Sequence, residues 1–375
     1  MERSTHFVDD EAGLLRLVDA VARSPRIGLD TESNGFHAYF EKLCLLQIAT
    51  EDADWALDVL AVKPGRLLEL LQDPAREVIL HAAEYDVTSL KREHGVTLAR
   101  IFDTHAAAKT LGMQRVGLHN LLLDTLGIQL RVDEQRSDWG RRPLSKQQLE
   151  YAFADVQYLL PMCDKLYAEL VAKGRLREAE AEFARLTRKE AKSREFDVLS
   201  WQKSKAAQTL DPKGRGILRD LFLLRDRRAR ELDRPPFKVI ADLFLSEVAR
   251  RRPKTLEELG RIPGASPNSV KKLGPEILVI VETAEPQQRT KPQGDGQGKP
   301  PPEVVDRFEQ LRAWRKKLAD DRKVEVQVIA PNAVLWGIAK ALPRDLEALA
   351  RVEGMDAFRL ESYGSGILGL LAEKP

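Results

Sequence analysis

The sequence predicts an α/β domain built on a mixed sheet, followed by two all-α domains that repeat one another. Three observations carry that prediction. Three strand-like apolar runs follow one another closely between Ile27 and Val59. Strand-like and helix-like segments then alternate to about residue 170. From Pro212 onward the chain repeats itself at a spacing of about 87 to 90 residues, too long for a solenoid unit and right for a duplicated domain.

Taken in order, Thr5 to Val8 reads as a short strand, and Glu11 to Ala22 has helical spacing at Leu14, Leu15, Val18 and Val21. Ser24-Pro25 breaks that helix before a strand that runs into Asp30. Leu43 to Ala49 and Trp55 to Val59 are the next two strands, and their short connections favour antiparallel neighbours. A helix is expected over Pro64 to Leu71. Val78-Ile79-Leu80 is a short buried strand leading to Asp86 in the first turn of another helix, and Ile101-Phe102 ends in Asp103-Thr104, a helix N-cap. Lys146 to Leu170 reads as a long helix, and Ala172 to Ser200 as a charged helical connector with too few apolar positions for a core face.

The chain is 375 residues long with a formal net charge of +2, but the charge is unevenly placed. Residues 1–172 carry 19 Lys+Arg against 27 Asp+Glu, and the rest carries 41 against 31. An acidic front that recruits cations and a basic back suit a polyanionic substrate. No apolar run reaches the roughly 20 residues of a membrane span, and acidic Glu2, Asp9, Asp10 and Glu11 do not lay out a signal peptide, so a cytoplasmic protein is expected. Cys44 and Cys163 sit in apolar runs and read as buried thiols rather than a disulfide or zinc pair.

Asp30 and Glu32, two apart at a strand end, project to one side. Such a pair can hold a divalent cation, which prefers carboxylate oxygens and leaves room for water and phosphate. Asp86 sits just past another strand, in the first turn of a helix, a placement that matches that of Glu32. Tyr151 and Asp155 are four apart on one helical face, where an Asp among Ala152, Ala154, Val156 and Leu159 is costly unless paired or metal-bound. A phenol of pKa near 10 is a poor base at neutral pH, so Tyr151 is expected to position the attacking water. Asp103 is read as a cap, and His81 as a possible phosphate contact.

Asp30-x-Glu32, Asp86 and Tyr151-x-x-x-Asp155, in that order, resemble the three motifs of the tyrosine-bearing branch of the four-acidic-residue exonucleases, on a ribonuclease-H-like fold. Leu80-His81-Ala82, Phe102-Asp103-Thr104 and Arg136-Ser137-Asp138-Trp139 to Arg142-Pro143-Leu144-Ser145 are similar to the ribonuclease D family in particular. The resemblance covers residues 5 to 170. It implies a 3′-to-5′ exoribonuclease that releases 5′-mononucleotides, with tRNA precursors or other structured RNA as substrate. It also implies two divalent ions, Mg²⁺ or Mn²⁺: Asp30, Glu32 and Asp155 on the first, Asp30 bridging to a second to which Asp86 contributes through water. Ser33 departs from the apolar residue the family carries after that Glu; Phe36 or Tyr39 is the expected replacement for its substrate contact. A DNA 3′-to-5′ exonuclease and a noncatalytic nucleic-acid-binding adaptor are the alternatives.

The repeats look like the HRDC domain shared by RecQ-type helicases and ribonuclease D. Leu224-Arg225, Val239-Ile240, Leu256-Glu257, Gly264, Gly274 and Ile277-Leu278 recur as Leu311-Arg312, Val328-Ile329, Leu346-Glu347, Gly354, Gly364 and Ile367-Leu368. The expected division is an exonuclease domain over 1–172, a connector over 173–211, HRDC-like domains over 212–283 and 303–375, and a flexible linker over 284–302. Gly294 to Lys299 fails as a phosphate loop on spacing and runs into Pro300, so no nucleotide cofactor is expected. In the first repeat Arg225, Arg228, Arg250, Arg251, Arg252, Lys271 and Lys272 are the candidate RNA-backbone contacts. The second repeat, less basic in its latter half, is expected to pack on the catalytic domain. A monomer is expected.

Overall fold

The run Leu43–Ala49 is buried at every residue, as expected of a strand covered on both faces. In the computed structural model, which describes residues 3–130, 134–191, 195–288 and 300–372, it is an inner strand of a six-stranded sheet. The strands are β1 (Ser4–Val8), β2 (Arg26–Ser33), β3 (Leu43–Ala49), β4 (Ala53–Leu57), β5 (Glu77–Leu80) and β6 (Ile101–Asp103), in the order β1-β4-β3-β2-β5-β6. β3 and β4 pair antiparallel, whereas β1 with β4, β2 with β5 and β5 with β6 pair parallel. The three expected sequential strands are therefore neighbours, and β1 adds a parallel edge.

Eight helices accompany the sheet: α1 (Glu11–Arg23), α2 (Arg66–Leu71), α3 (Glu84–His94), α4 (Thr104–Leu111), α5 (Leu118–Leu126), α6 (Lys146–Val156), α7 (Leu159–Ala172) and α8 (Leu176–Thr187). The single helix expected over Lys146 to Leu170 is two, broken at Gln157-Tyr158. Pro161 accounts for the break, since its ring would clash with the carbonyl four residues back and it has no N–H to donate. The expectation of too few apolar positions after Ala172 also fails for α8. Ala179, Phe183 and Leu186 are buried in the sheet domain's core, with Phe183 against Phe102 at 4.9 Å between ring centres.

The chain divides into two units, one of Met1–Glu32, Leu43–Lys192 and Lys299–Pro375, the other of Ser33–Lys42 and Ser193–Gly298. Within the first, the second helical repeat packs on α4 and α8, in line with expectation. Arg322 pairs with buried Glu178, to which the Tyr363 hydroxyl also donates at 3.3 Å. Arg175 donates to the Arg322 carbonyl at 2.9 Å. Gly112 sits at φ +83°, where a Cβ would meet the Lys323 carbonyl oxygen at 2.2 Å, so both conformation and contact require glycine. Within the second unit, the Tyr39 hydroxyl donates to Asp226 at 2.7 Å, and the Tyr39 and Phe40 amides donate to Asp233 at 3.0 Å each.

The repeats match at one constant offset of 90 residues. Helices Pro212–Glu231, Pro236–Val239, Asp242–Arg251 and Leu256–Gly260 correspond to Pro302–Arg322, Val326–Ile329, Asn332–Ala341 and Leu346–Ala350. Gly264 and Gly354 share φ near +85°. The offset of 87 that equates Leu224-Arg225 with Leu311-Arg312 is therefore corrected by about one helical turn, Arg225 matching Arg315, and the offset of 89 that equates Val239-Ile240 with Val328-Ile329 by one residue, Ile240 matching Ala330. Residues 289–299, most of the expected linker with Gly294 to Lys299, lie outside the described residues. Among the described residues no helix is long and apolar enough to cross a membrane, and Cys44 and Cys163 are buried and outside any disulfide.

Candidate active site

The site grows from the end of β2. Ile27 and Leu29 anchor the strand in the core, and past Leu29 the alternation turns Asp30 and Glu32 to one side. On α6, whose start is fixed by a capping box between Ser145 and Gln148, buried Ala152 and Val156 set the inward face. That face carries Tyr151 and Asp155, both buried. Asp30, Glu32 and Asp155 each bring a carboxylate oxygen within 4.8 Å of the others.

The segment before α6 is held by Arg142. Its guanidinium pairs with buried Asp58 and donates to the carbonyls of Trp139 at 2.7 Å and Cys44 at 3.0 Å. Trp139, Tyr151 and Ala152 then pack with Cys44, Leu45 and Ala56 of the sheet. A buried aromatic cluster thus fixes where α6 presents its Tyr and Asp.

Asp86, buried in the first turn of α3, accepts a hydrogen bond from the Thr31 hydroxyl. Asp103 caps α4 as expected, accepting from His105 and Ala106 at 2.9 and 3.2 Å, and does more. It also accepts from the Ala82 and Ala83 amides at 3.0 Å each, pinning the turn at Ala82 (φ +59°) that leads into α3. Sequence reading missed this second task, along with Thr31 and Gln47. Buried Gln47 of β3 donates to Asp30 at 3.5 Å, and its amide oxygen has no hydrogen-bond partner. A hydroxyl between two carboxylates and a polar residue inside an otherwise apolar strand were the available signals.

The electrostatics are those of a cluster short of positive charge. Burial raises Asp30 to about 7. Burial, then Asp30, Asp155 and Asp86, raise Glu32 to about 10. Burial and then Asp30 hold Asp86 well above the usual carboxylate range. Tyr151 is likewise lifted above an ordinary phenol, by burial first and then by Asp155, Glu32 and Asp30. Close, desolvated, hard oxygen donors fit a divalent cation, which would favour the charged forms that burial opposes.

The remaining candidates sit elsewhere. His81 Nδ1 lies 2.9 Å from Thr104 Oγ1, which gives its own proton to the Leu80 carbonyl, and burial then His105 lower the ring to about 3. Phe36 is exposed and Tyr39 is bonded to Asp226; both belong to the second unit. Arg225 is corrected: it is buried, its guanidinium bonded to the Ile240 carbonyl and Asp242, and cannot reach a nucleic acid backbone. Arg228 pairs with Glu231 and Glu276, Arg250 and Arg251 with Glu247, and Arg252 with Asp211, while Lys271 and Lys272 are exposed.

An acidic cluster between a strand end and a helix beside a mixed sheet, in a chain that continues into two helical domains, is the arrangement of a 3′-to-5′ exonuclease, and the model of the 3′-5′ exonuclease family matches residues 5–171. The HRDC domain model matches residues 215–281 and 305–371. Ribonuclease D of Pseudomonas paraeruginosa is 30% identical over 97% of both chains, and that of Sphingobium indicum is 29% identical over 97% of this chain and 94% of its own. Among solved structures, Escherichia coli RNase D, described as an exoribonuclease involved in structured RNA processing, superposes with a TM-score of 0.68 at 26% identity over the whole of both chains. The catalytic core of RRP6 from Trypanosoma brucei gives 0.67 at 25% identity over 75% of this chain and 79% of that one. The chain belongs to the ribonuclease D family, and its activity is that of a 3′-to-5′ exoribonuclease.

Proposed function

We propose that the enzyme trims the 3′ ends of structured-RNA precursors such as those of tRNA, using Asp30, Glu32, Asp86, Tyr151 and Asp155. The observation that carries this reading is the convergence of the Asp30, Glu32 and Asp155 oxygens within 4.8 Å. Water attacks the phosphorus of the last phosphodiester, the bond to the 3′ oxygen of the preceding nucleotide breaks, and a 5′-mononucleotide leaves.

Asp30, Glu32 and Asp155 would hold one divalent ion, Mg²⁺ or Mn²⁺, and Asp30 with Asp86 a second. Bound there, such ions supply charge stabilisation for the phosphoryl group and the departing oxygen. Thr31 keeps one Asp86 oxygen engaged, and Asp103 holds the turn that delivers Asp86. Tyr151 stays protonated at neutral pH and directs its proton to Asp155. Its lone pairs are then free to accept from the attacking water, which orients the water rather than deprotonating it.

We assign residues 1–172 to the exonuclease domain and 212–283 and 303–375 to the two HRDC-like domains, with Arg228, Arg250 to Arg252, Lys271 and Lys272 following the RNA backbone. The enzyme acts as a cytoplasmic monomer in this reading. The test is incubation of the full chain with matched end-labelled single-stranded RNA and DNA in Mg²⁺, Mn²⁺ or EDTA. A metal-dependent ladder shortening from the RNA 3′ end is expected. Preferential loss of DNA would replace it with a DNA exonuclease, and no cleavage in any metal would leave an adaptor.

A further inference from the structure

Every residue of β3 is buried, and one of them is a carboxamide. Gln47 is 0% exposed in a run otherwise made of Leu, Cys, Ile and Ala. Ala56 stands opposite it on β4 and offers no polar side-chain atom. The Gln47 Nε2 donates to Asp30 Oδ2 at 3.5 Å, the long end of hydrogen bonding, and its Oε1 meets no donor. A buried amide so poorly satisfied costs stability, and an apolar side chain of the same shape would not. Packing therefore does not account for Gln47.

What it faces does. Asp30, Glu32 and Asp86 have no lysine or arginine partner among the described residues. The Thr31 hydroxyl engages one oxygen of Asp86, and the Gln47 amide is the side chain that reaches Asp30. Both donors are uncharged. A cationic side chain in either place would neutralise the carboxylate from within and compete with a bound ion. A neutral donor fixes which way the carboxylate turns and leaves its charge for the ligand.

We propose that Gln47 is a positioning residue, an amide that orients Asp30 through Nε2 so that the cluster binds a divalent cation more tightly, at the expense of the fold's own stability. The assignment rests on Asp30, Glu32 and Asp155 holding that cation. Gln47 acts through Asp30 alone. It follows that stability and metal affinity change in opposite directions when the amide is removed, which a residue kept for packing would not produce.

In the full chain, Gln47→Met keeps the length of the side chain and removes both polar atoms. Without metal its Tm should equal or exceed that of the parent. Mn²⁺ binding, read in the absence of RNA from the EPR signal of the free ion, should be about ten-fold weaker, the lower end of what the outer partners of metal ligands contribute. The Mg²⁺ concentration that gives half-maximal RNA shortening should rise by a similar factor, and the rate at saturating Mg²⁺ should return to near parental. Should the Met variant not fold, Gln47→Asn takes its place; it keeps an amide but stops one methylene short of Asp30, and the same weakening and the same recovery are expected. Parental Mn²⁺ affinity in a folded variant would overturn the proposal and leave Gln47 a packing residue. Weaker binding together with a lowered Tm in Gln47→Met would overturn it too, as a general loosening of β3. Mn²⁺ binding by the parent is measured first: its absence sinks the metal reading of the cluster and Gln47 with it, whereas binding that parent and variant share sinks Gln47 alone.

Discussion

The acidic cluster and the basic first repeat carry charge in opposite ways. At the end of β2 and on α6, carboxylates are buried against one another, and burial and like charge set the shifts of Asp30, Glu32 and Asp86. In the first repeat, Arg225, Arg228, Arg250, Arg251 and Arg252 each have an acid within reach. Both regions look equally charged as sequence. Charge held without a partner at a real desolvation cost marks a place where something binds; charge already paired within the fold has to give up part of that contact before it can meet a phosphate.

The sharpest way to break that contrast is Asp155→Asn. Removing one carboxylate from the cluster should lower the rate of RNA shortening by about three orders of magnitude, the scale of losing a charge-stabilising group, while RNA affinity in EDTA stays near parental. Undiminished cleavage would remove Asp155 from the site.

The next effect is on stability. Asp30 and Glu32 have folded-state values raised to about 7 and about 10, far above unfolded carboxylates near 4. The folded state therefore holds more protons than the unfolded one across that window, and these groups' contribution to stability falls as pH rises through it. His81, lowered to about 3, slopes the other way below about 6.5, so the useful quantity is the difference between Tm in Mg²⁺ and in EDTA. That difference should widen from pH 5.5 to pH 8 by several degrees, on the scale of about 1 to 2 kcal/mol of added metal binding. A difference that is absent or flat with pH would mean the carboxylates do not hold the ion.

A smaller effect is expected one shell out. Thr31→Val keeps the shape of the side chain and removes the hydroxyl that engages Asp86. Outer partners of metal ligands are worth about 10- to 100-fold, and with a single bond lost the lower figure is expected. The loss should shrink as Mg²⁺ is raised, which a purely structural defect would not do.

How much of this was readable in the chain follows from how local each signal is. Asp30-x-Glu32 and Tyr151-x-x-x-Asp155 declare themselves because strand and helix periods place each pair on one face within a few residues. Asp103 was readable as a cap for the same reason, but its bonds to Ala82 and Ala83 join two strand ends some 20 residues apart and leave no trace in spacing. The pairing of Arg252 with Asp211, 41 residues away, was equally hidden. The repeat was visible, yet its first helix was read one turn out of register. Leu-Arg recurs at Leu224-Arg225 and Leu311-Arg312, and a three-residue shift keeps an apolar residue on nearly the same helical face. The matching helix bounds and the shared bonds of Arg225 and Arg315 to a following carbonyl fix the offset at 90.

The smallest effect separates paired from unpaired cations inside the first repeat. Lys271 and Lys272 are exposed near the start of Pro267–Thr283 and carry no ion pair among the described residues. Arg250 and Arg251 share Glu247. An arginine already bonded to a carboxylate must give up part of that contact to meet a phosphate, and removing it strands the acid, so its net contribution to RNA binding is smaller than that of a free lysine. Replacing both lysines by Ala should weaken single-stranded RNA binding by about three-fold and lower the salt slope by about one, whereas replacing Arg250 and Arg251 by Ala should change the slope by about half as much. The opposite ranking would mean that RNA draws the arginines off Glu247, and that pairing seen in the free protein does not predict which cations face the substrate.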